Sequence, residues 1–237
     1  MATTNATSAS LTGASLPAAP PRRLALAPEQ RVVLRGIGRQ GFEAILQAIG
    51  DQAAVRLTYD RGDIELMAPS IDHEVFKKRF ARLIETLTEE LNITCEAAGS
   101  TTWRSLLADR GLEPDECYYL AHAALIAGRR IIDLSVDPPP DLAVEIEIHP
   151  GALDRMAIYA ALKVPEVWRF DGRNLIVFWL QPDGTYVPRA TSRQLPFLDL
   201  DRLVEWVHEA DGVVQTAWIR RFREYVRVEL APRLGRP

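Results

Sequence analysis

The spacing of hydrophobic and polar residues along the chain predicts helices separated by strands. The clearest helical pattern covers residues 71–92, where apolar residues recur three and four positions apart and Ser70 and Asp72 are candidate N-caps. A shorter helical pattern covers residues 42–49, after a short strand, and the pattern is helical again from about Leu198 onward.

Strand patterns fill most of the chain between these helices. Apolar and polar residues alternate on both sides of a turn at residues 61–63, which predicts a hairpin within residues 55–69. Further strands are predicted within 93–105, from about Asp115, within 141–148, and in a second hairpin around Asp171 and Gly172, with a loop through 127–140 and a helix after residue 150. The sum predicts an α/β domain with a mixed central β-sheet flanked by helices.

The length of 237 residues favours one domain with extensions. Residues 1–27 are rich in Ala, Ser, Thr and Pro and are predicted to form a disordered N-terminal tail. We expect the folded domain to cover residues 28–200 and a C-terminal helical extension to cover 201–237.

Composition narrows the classes of function. The net charge of −4 provides no global basic field for nucleic acid, so any such surface must be local. Two distant cysteines and no secretory segment predict reduced thiols in a cytoplasmic protein. No apolar run approaches the roughly 20 residues that cross a bilayer, so we expect no membrane function.

The stretch "PPPDLAVEIEIHP", residues 138–150, places acids inside an apolar strand. Asp141, Glu145 and Glu147 would share one face of it, and a buried carboxylate must be neutral, paired or bound to a metal. If the strand that begins at Asp115 is its neighbour, Asp115 and Glu145 converge on one divalent ion, and Mg²⁺ or Mn²⁺ suits such carboxylates. Asp141 follows Pro140 at the strand's edge and is interpreted as a solvated or capping acid.

The acids also carry a resemblance to a known family. The Pro114–Asp115 pair, an acid 30 positions later and a charged residue two positions beyond it resemble the PD-(D/E)XK nuclease superfamily. The segments "GDIELMAPSIDHE", "GLEPDECYYL", "PPPDLAVEIEI" and "YAALKVPEVWRFDG" resemble, in that order, the bacterial Uma-type family of restriction-endonuclease-like proteins over roughly residues 30–200. The resemblance implies a restriction-endonuclease-like fold and an Mg²⁺-dependent endonuclease that hydrolyses phosphodiester bonds in DNA.

The resemblance also implies a set of catalytic residues. Asp115 and Glu145 would bind the metal, with the Ile146 carbonyl as a third donor, while the superfamily lysine is replaced by Glu147, a further ligand or a base. The lysine found in relatives four residues before the tyrosine that matches Tyr159 is Arg155 here. Because arginine does not readily lose a proton, hydrolysis would depend on a metal-bound water.

Other residues are candidates for accessory and nucleic-acid contacts. Glu65, His73 and Glu74 match a further family element and are expected at the rim of the site, although His73 would also suit a helix cap. Basic residues on two predicted helices could follow a phosphate backbone, although such residues are more often the solvated side of a helix; they are Lys77, Lys78 and Arg82 on the first, and Arg220, Arg221 and Arg223 on the second.

Two other classes of function remain open. A nucleic-acid or protein interaction module with the same fold but no catalysis is favoured by the missing lysine, by Arg155 and by the acidic pI. A structural partner protein with no metal is the third hypothesis. If the protein is a nuclease, a homodimer would let two sites cut both DNA strands.

Overall fold

The computed structural model describes residues 28–50, 55–105 and 107–235, and within them the strands form two sheets flanked by helices. The strands are β1 (Gln30–Leu34), β2 (Arg56–Asp60), β3 (Asp63–Ala68), β4 (Glu96–Ala97), β5 (Trp103–Ser105), β6 (Arg110–Leu112), β7 (Glu116–Tyr119), β8 (Leu142–Ile146), β9 (Glu166–Phe170), β10 (Leu175–Leu180) and β11 (Tyr186–Arg189). The helices are α1 (Gly38–Ile49), α2 (Ile71–Glu90), α3 (Ala123–Ile126), α4 (Arg155–Ala161), α5 (Leu200–Glu209), α6 (Gln215–Tyr225), a π-helical stretch (Val226–Leu230) and α7 (Ala231–Arg233). The predicted α/β class is confirmed, while the predicted tail, 1–27, lies outside the described residues.

The central sheet is mixed and has six strands in the order β11-β10-β9-β8-β7-β4. β8 and β9 run parallel, because α4 crosses over between them, and the other neighbours are antiparallel. α2 packs on one face of this sheet and α4 on the other. This burial on both faces explains why β8 is almost entirely apolar and why an acid within it is conspicuous.

A second sheet is antiparallel, in the order β1-β3-β2-β6-β5. Its β2–β3 hairpin turns at Arg61 and Gly62, both with positive φ, as a two-residue hairpin turn requires. The sequence pattern predicted this hairpin but missed β6 and β11, and it joined β4 and β5 into one strand. Gly99, with φ of +56°, lies between β4 and β5, which belong to different sheets.

The largest core lies between the central sheet and the helices that cover its α2 face. Phe80, Leu83 and Leu87 of α2 are fully buried against the sheet, and Trp206 and Trp218 of the C-terminal helices belong to the same hydrophobic cluster. The C-terminal helices therefore share a core with the sheet, and the predicted division at residue 200 stays a prediction.

Two expectations from composition concern membranes and cysteines. None of the helices in the described ranges has the length and hydropathy to cross a bilayer. Cys95 and Cys117 are both free, and burial raises their pKa values to about 11 and about 12. Thiols with such pKa values carry little thiolate at neutral pH.

Candidate active site

Asp115 and Glu145 lie opposite each other on the central strands. β7 and β8 pair Glu116 with Val144, so the next step of the antiparallel register brings Asp115 beside Glu145. The Ile146 backbone N–H donates to Asp115 Oδ2 at 2.8 Å, and both carboxylates are buried. The structure thus brings together the two acids that sequence reasoning selected first.

Arg155 joins Glu145 to two other parts of the chain. Its Nη2 atom donates to Glu145 Oε1 at 2.5 Å and to the Glu113 carbonyl at 2.7 Å, while Nη1 donates to Thr58 Oγ1 at 2.6 Å. The Tyr159 hydroxyl also donates to Glu145 Oε1. Burial raises the pKa of Glu145 to about 7, since the nearby Arg155 charge only partly offsets it and Asp115 adds to it.

The start of α4 aims Arg155 at the sheet. Asp154 is the N-cap, and its carboxylate accepts a hydrogen bond from the Ala157 N–H at 3.0 Å. Arg155 is then the first helical residue and Tyr159 follows one turn later, on the same side of the helix. The spacing of four residues between them is therefore what lets both side chains contact one carboxylate.

His73 is buried and connects two carboxylates. Its Nε2 atom lies 2.8 Å from Asp115 Oδ1 and its Nδ1 atom lies 2.9 Å from Glu29 Oε1. Burial disfavours the charged ring, but the contacts with Glu29 and Asp115 outweigh this and raise the pKa of His73. Ser70 is the N-cap of α2, because its Oγ accepts a hydrogen bond from the His73 N–H at 3.2 Å. The His73 ring does not cap the helix and instead orients Asp115.

Glu74, the next accessory candidate, reaches the acids only through an arginine. Arg56 Nη2 donates to Glu74 Oε1 at 3.2 Å, and Arg56 Nε lies 3.7 Å from Asp115 Oδ1. Glu74 is itself 39% exposed at its side chain. Glu74 therefore lies at the rim and positions a cation next to Asp115.

Glu65 secures the loop that precedes α4. Its carboxylate accepts hydrogen bonds from the Ala152 N–H at 2.5 Å and the Leu153 N–H at 3.3 Å, and it forms an ion pair with Arg31. A side chain at Gly151 would place its Cβ 2.9 Å from Glu65 Oε1, so a larger residue there would displace the Glu65 carboxylate. Glu65 thus fixes the position of the loop between β8 and α4.

Glu147 lines a pocket of about 300 Å³. It lies one residue beyond the end of β8, its side chain is 29% exposed, and Arg169 Nε lies 3.2 Å from its Oε2. The pocket is lined in part by Glu145, Glu147, Arg155, Met156 and Arg169. Within the described ranges, no three His, Cys, Asp or Glu side chains are grouped so that they could hold a metal ion. The assignment of Asp115, Glu145 and Glu147 as the ligands of one metal ion therefore stays a prediction.

Comparison with known proteins identifies the family. The model of a family described as "Uma2: Putative restriction endonuclease" matches residues 41–211, well over half of the chain. The chain belongs to the Uma2 family. Among solved structures, one described as a "putative nuclease belonging to DUF820" from Anabaena variabilis is similar at 13% identity and a TM-score of 0.44, covering 64% of this chain and 90% of that chain. No protein of curated function matches.

Asp141 is a structural acid in this Uma2 protein. Its Oδ2 atom accepts hydrogen bonds from the Leu120 N–H at 2.8 Å and the His122 N–H at 2.9 Å, and its Oδ1 atom lies 2.5 Å from the His122 ring. Asp141 is 1% exposed, and its carboxylate caps the backbone N–H groups that follow β7. This agrees with its interpretation as a capping acid and not with a solvated one.

The basic residues predicted to contact nucleic acid differ in their exposure. Lys77 is only 6% exposed and its Nζ lies 4.0 Å from Glu116 Oε1, so it is enclosed on the α2 face, and its role as a phosphate contact stays a prediction. Lys78 is exposed and Arg82 is half-buried. Of the C-terminal arginines, Arg220 is exposed, whereas Arg221 pairs with Glu209 and Arg223 with Glu90. The ion pairs of Arg221 and Arg223 therefore link α6 to α5 and α2.

Sequence reasoning missed several residues that support the Uma2 site. Glu29 comes before β1, far from Asp115 in sequence, and no local pattern marks it. Arg56 and Thr58 did leave a signal, because they alternate with buried Leu57 and Tyr59 and so form a polar face of β2. That face meets Arg155 and Asp115.

Proposed function

We propose that this Uma2-family protein is an endonuclease that hydrolyses phosphodiester bonds in DNA with Mg²⁺ or Mn²⁺. The observation that carries the proposal is the pairing of Asp115 with Glu145 at a pocket that Glu145 and Arg155 line. The membership of the chain in a family described as restriction endonucleases supports the same reaction class.

The pair of acids fits a divalent metal by the chemistry of its donors. Mg²⁺ in phosphate-processing sites is usually held by one or two carboxylates together with waters and substrate phosphates, so a third protein carboxylate is not required. Asp115 and Glu145 would hold the ion. When bound, it would activate a water molecule and neutralise charge on the phosphate.

The remaining roles belong to side chains around the pocket. Glu147 is accessible from the pocket and is the candidate acceptor for the proton of the attacking water. Arg155 lines the same pocket and would provide positive charge for the phosphate oxygens. His73 positions Asp115, and Glu65 fixes the loop between β8 and α4.

One observation favours a second candidate, an interaction module without catalysis. Arg155 and Tyr159 both donate to Glu145 Oε1, so protein groups already compensate this buried carboxylate without a metal. A nucleic-acid or protein interaction module that keeps the fold would be stable with these contacts alone.

Calorimetric titration of Mn²⁺ and Mg²⁺, with a plasmid-nicking assay on the same samples, separates the two candidates. We expect the wild type to bind metal and nick DNA, and Glu145→Gln and Asp115→Asn to lower nicking at least about a hundredfold, as loss of a metal-site group does. Glu89→Gln is the control, since Glu89 is a surface acid that contacts Arg223 at 3.4 Å. Metal binding without nicking would favour the interaction module, and wild-type protein with neither property would refute the nuclease.

We propose in addition that the protein is cytoplasmic and acts as a homodimer. The two free thiols support a reducing compartment. A dimer would present two sites to the two strands of DNA. Analytical ultracentrifugation with and without DNA measures this, and a monomer under both conditions would contradict it.

A further inference from the structure

The pocket beside Glu145 continues across two more strands of the central sheet. The parallel register of β8 and β9 pairs Glu145 with Arg169. On the next strand, Phe178 pairs with Val167, which is buried against α4. Paired residues share a face, so Glu145, Arg169 and Phe178 follow one another along the α4 face of the sheet.

Arg169 is held as a flat cation on an aromatic ring. Its Cζ atom lies 5.0 Å from the centroid of the Phe178 ring, and its Nε lies 3.2 Å from Glu147 Oε2. Its side chain nevertheless remains 35% exposed and lines the pocket. The ring thus supports one face of the guanidinium and Glu147 orients it, while part of the side chain is open to the pocket.

We propose that this pocket binds a single unpaired nucleotide, with its base stacked on the Arg169 guanidinium above Phe178. The inference rests on the proposed function for the choice of nucleic acid as ligand. A volume of about 300 Å³ corresponds to a small-molecule site, so it would take a nucleoside and not a duplex. Leu153 and Met156 add apolar surface to the same pocket.

The charge distribution of the protein also favours binding by base stacking over binding along the phosphates of a DNA duplex. Binding to duplex DNA depends on many lysine and arginine contacts with phosphates. Here the net charge is −4, Lys77 is enclosed, and Arg221 and Arg223 are in ion pairs. Arginine planes and aromatic rings that stack on bases are typical of sites for single strands. The preferred substrate is therefore single-stranded DNA, or a strand with an unpaired nucleotide at the cleavage site.

Fluorescence anisotropy with three labelled DNAs of equal strand length tests this: a strand with bases, an abasic strand, and a duplex. The variants are Arg169→Lys, which keeps the charge but loses the plane, and Phe178→Leu, which removes the aromatic support. The matched control is Arg189→Lys, because Arg189 lies 5.6 Å from the Trp179 ring and pairs with Val177 on the opposite face of the sheet. Equal thermal transitions would show that all variants fold.

We expect the wild type and Arg189→Lys to bind the strand with bases about tenfold more tightly than the abasic strand or the duplex, as stacking of one base allows. Arg169→Lys and Phe178→Leu should lose this preference. A preference that survives in both variants, or a duplex that binds as tightly as the strand, would overturn the inference. Nicking by wild type without any preference for bases would overturn it and leave the proposed function intact. Base-dependent binding without cleavage of the bound strand would support the inference and refute hydrolysis.

Discussion

At the scale of single residues, the choice of arginine at position 155 determines how the buried acids are compensated. Its two terminal nitrogens contact Thr58 on β2, the Glu113 carbonyl before β7, and Glu145 on β8. A lysine has one nitrogen and could not make three contacts of this geometry from the same position. Arg155 is therefore a structural link between the two sheets as well as a candidate phosphate contact.

Arg155→Met should lower the free energy of unfolding by about 3–5 kcal/mol, because it leaves Glu145 buried without its cation. Adding Glu145→Gln should recover part of this loss, since the uncompensated charge is then gone. Urea denaturation of the wild type, both single variants and the double variant gives the coupling energy. Additive effects of the two substitutions would show that the ion pair contributes no coupling.

At the scale of elements, Glu166 on β9 binds the segment that follows β11. It is fully buried, and its carboxylate accepts from Trp168 Nε1 at 2.6 Å, from Ser192 Oγ at 2.6 Å and from the Arg193 N–H at 2.5 Å. The family-like segment "YAALKVPEVW" ends around this residue, so part of that motif is structural. A carboxylate in a strand is thus not by itself a sign of catalysis.

Glu166→Gln should destabilise the fold by about 2–3 kcal/mol, because an amide offers one acceptor oxygen where the site holds several donors. Ser192→Ala removes only one of those donors and should cost about 1 kcal/mol. Thermal and urea unfolding measure both. DNA nicking per folded molecule should be unchanged in each variant, and its loss in Glu166→Gln would assign this acid to the site instead.

The elements that the sequence predicted well are long and amphipathic. α2 spans Ile71–Glu90, close to the predicted 71–92, because its apolar stripe is continuous and Ser70 caps it. β5 and β6 have three residues each, too few for a period-two pattern, so β6 was missed and β5 was not separated from β4. Glu145 was predictable because acids are costly in buried strands, and Asp115 because the Pro114–Asp115 pair resembles a family motif. The contacts of Glu29 and Arg56 depend on tertiary packing between distant segments, which no local pattern contains.

At the scale of the whole molecule, the C-terminal helices share the hydrophobic core of the central sheet. Trp218 on α6 is fully buried and its Nε1 donates to the Trp206 carbonyl at 2.8 Å. Arg79 on α2 donates to the Val207 carbonyl at 3.0 Å and to Asp211 at 2.7 Å. Removing α5 and α6 would expose an apolar face of α2 and leave the buried Arg79 without these acceptors.

A chain that ends at residue 199 should therefore lack a cooperative thermal transition, whereas the full chain should unfold in one step. Trp218→Ala, which only creates a cavity in the same core, should lower the free energy of unfolding by about 3–5 kcal/mol and keep a single transition. Scanning calorimetry and circular dichroism compare the three proteins. A shortened chain that melts cooperatively with native-like circular dichroism would show that residues 28–199 fold independently, as the sequence predicts for 28–200. In that case the C-terminal helices would stabilise the site only from outside, and DNA nicking by the shortened chain would measure how much the site depends on them.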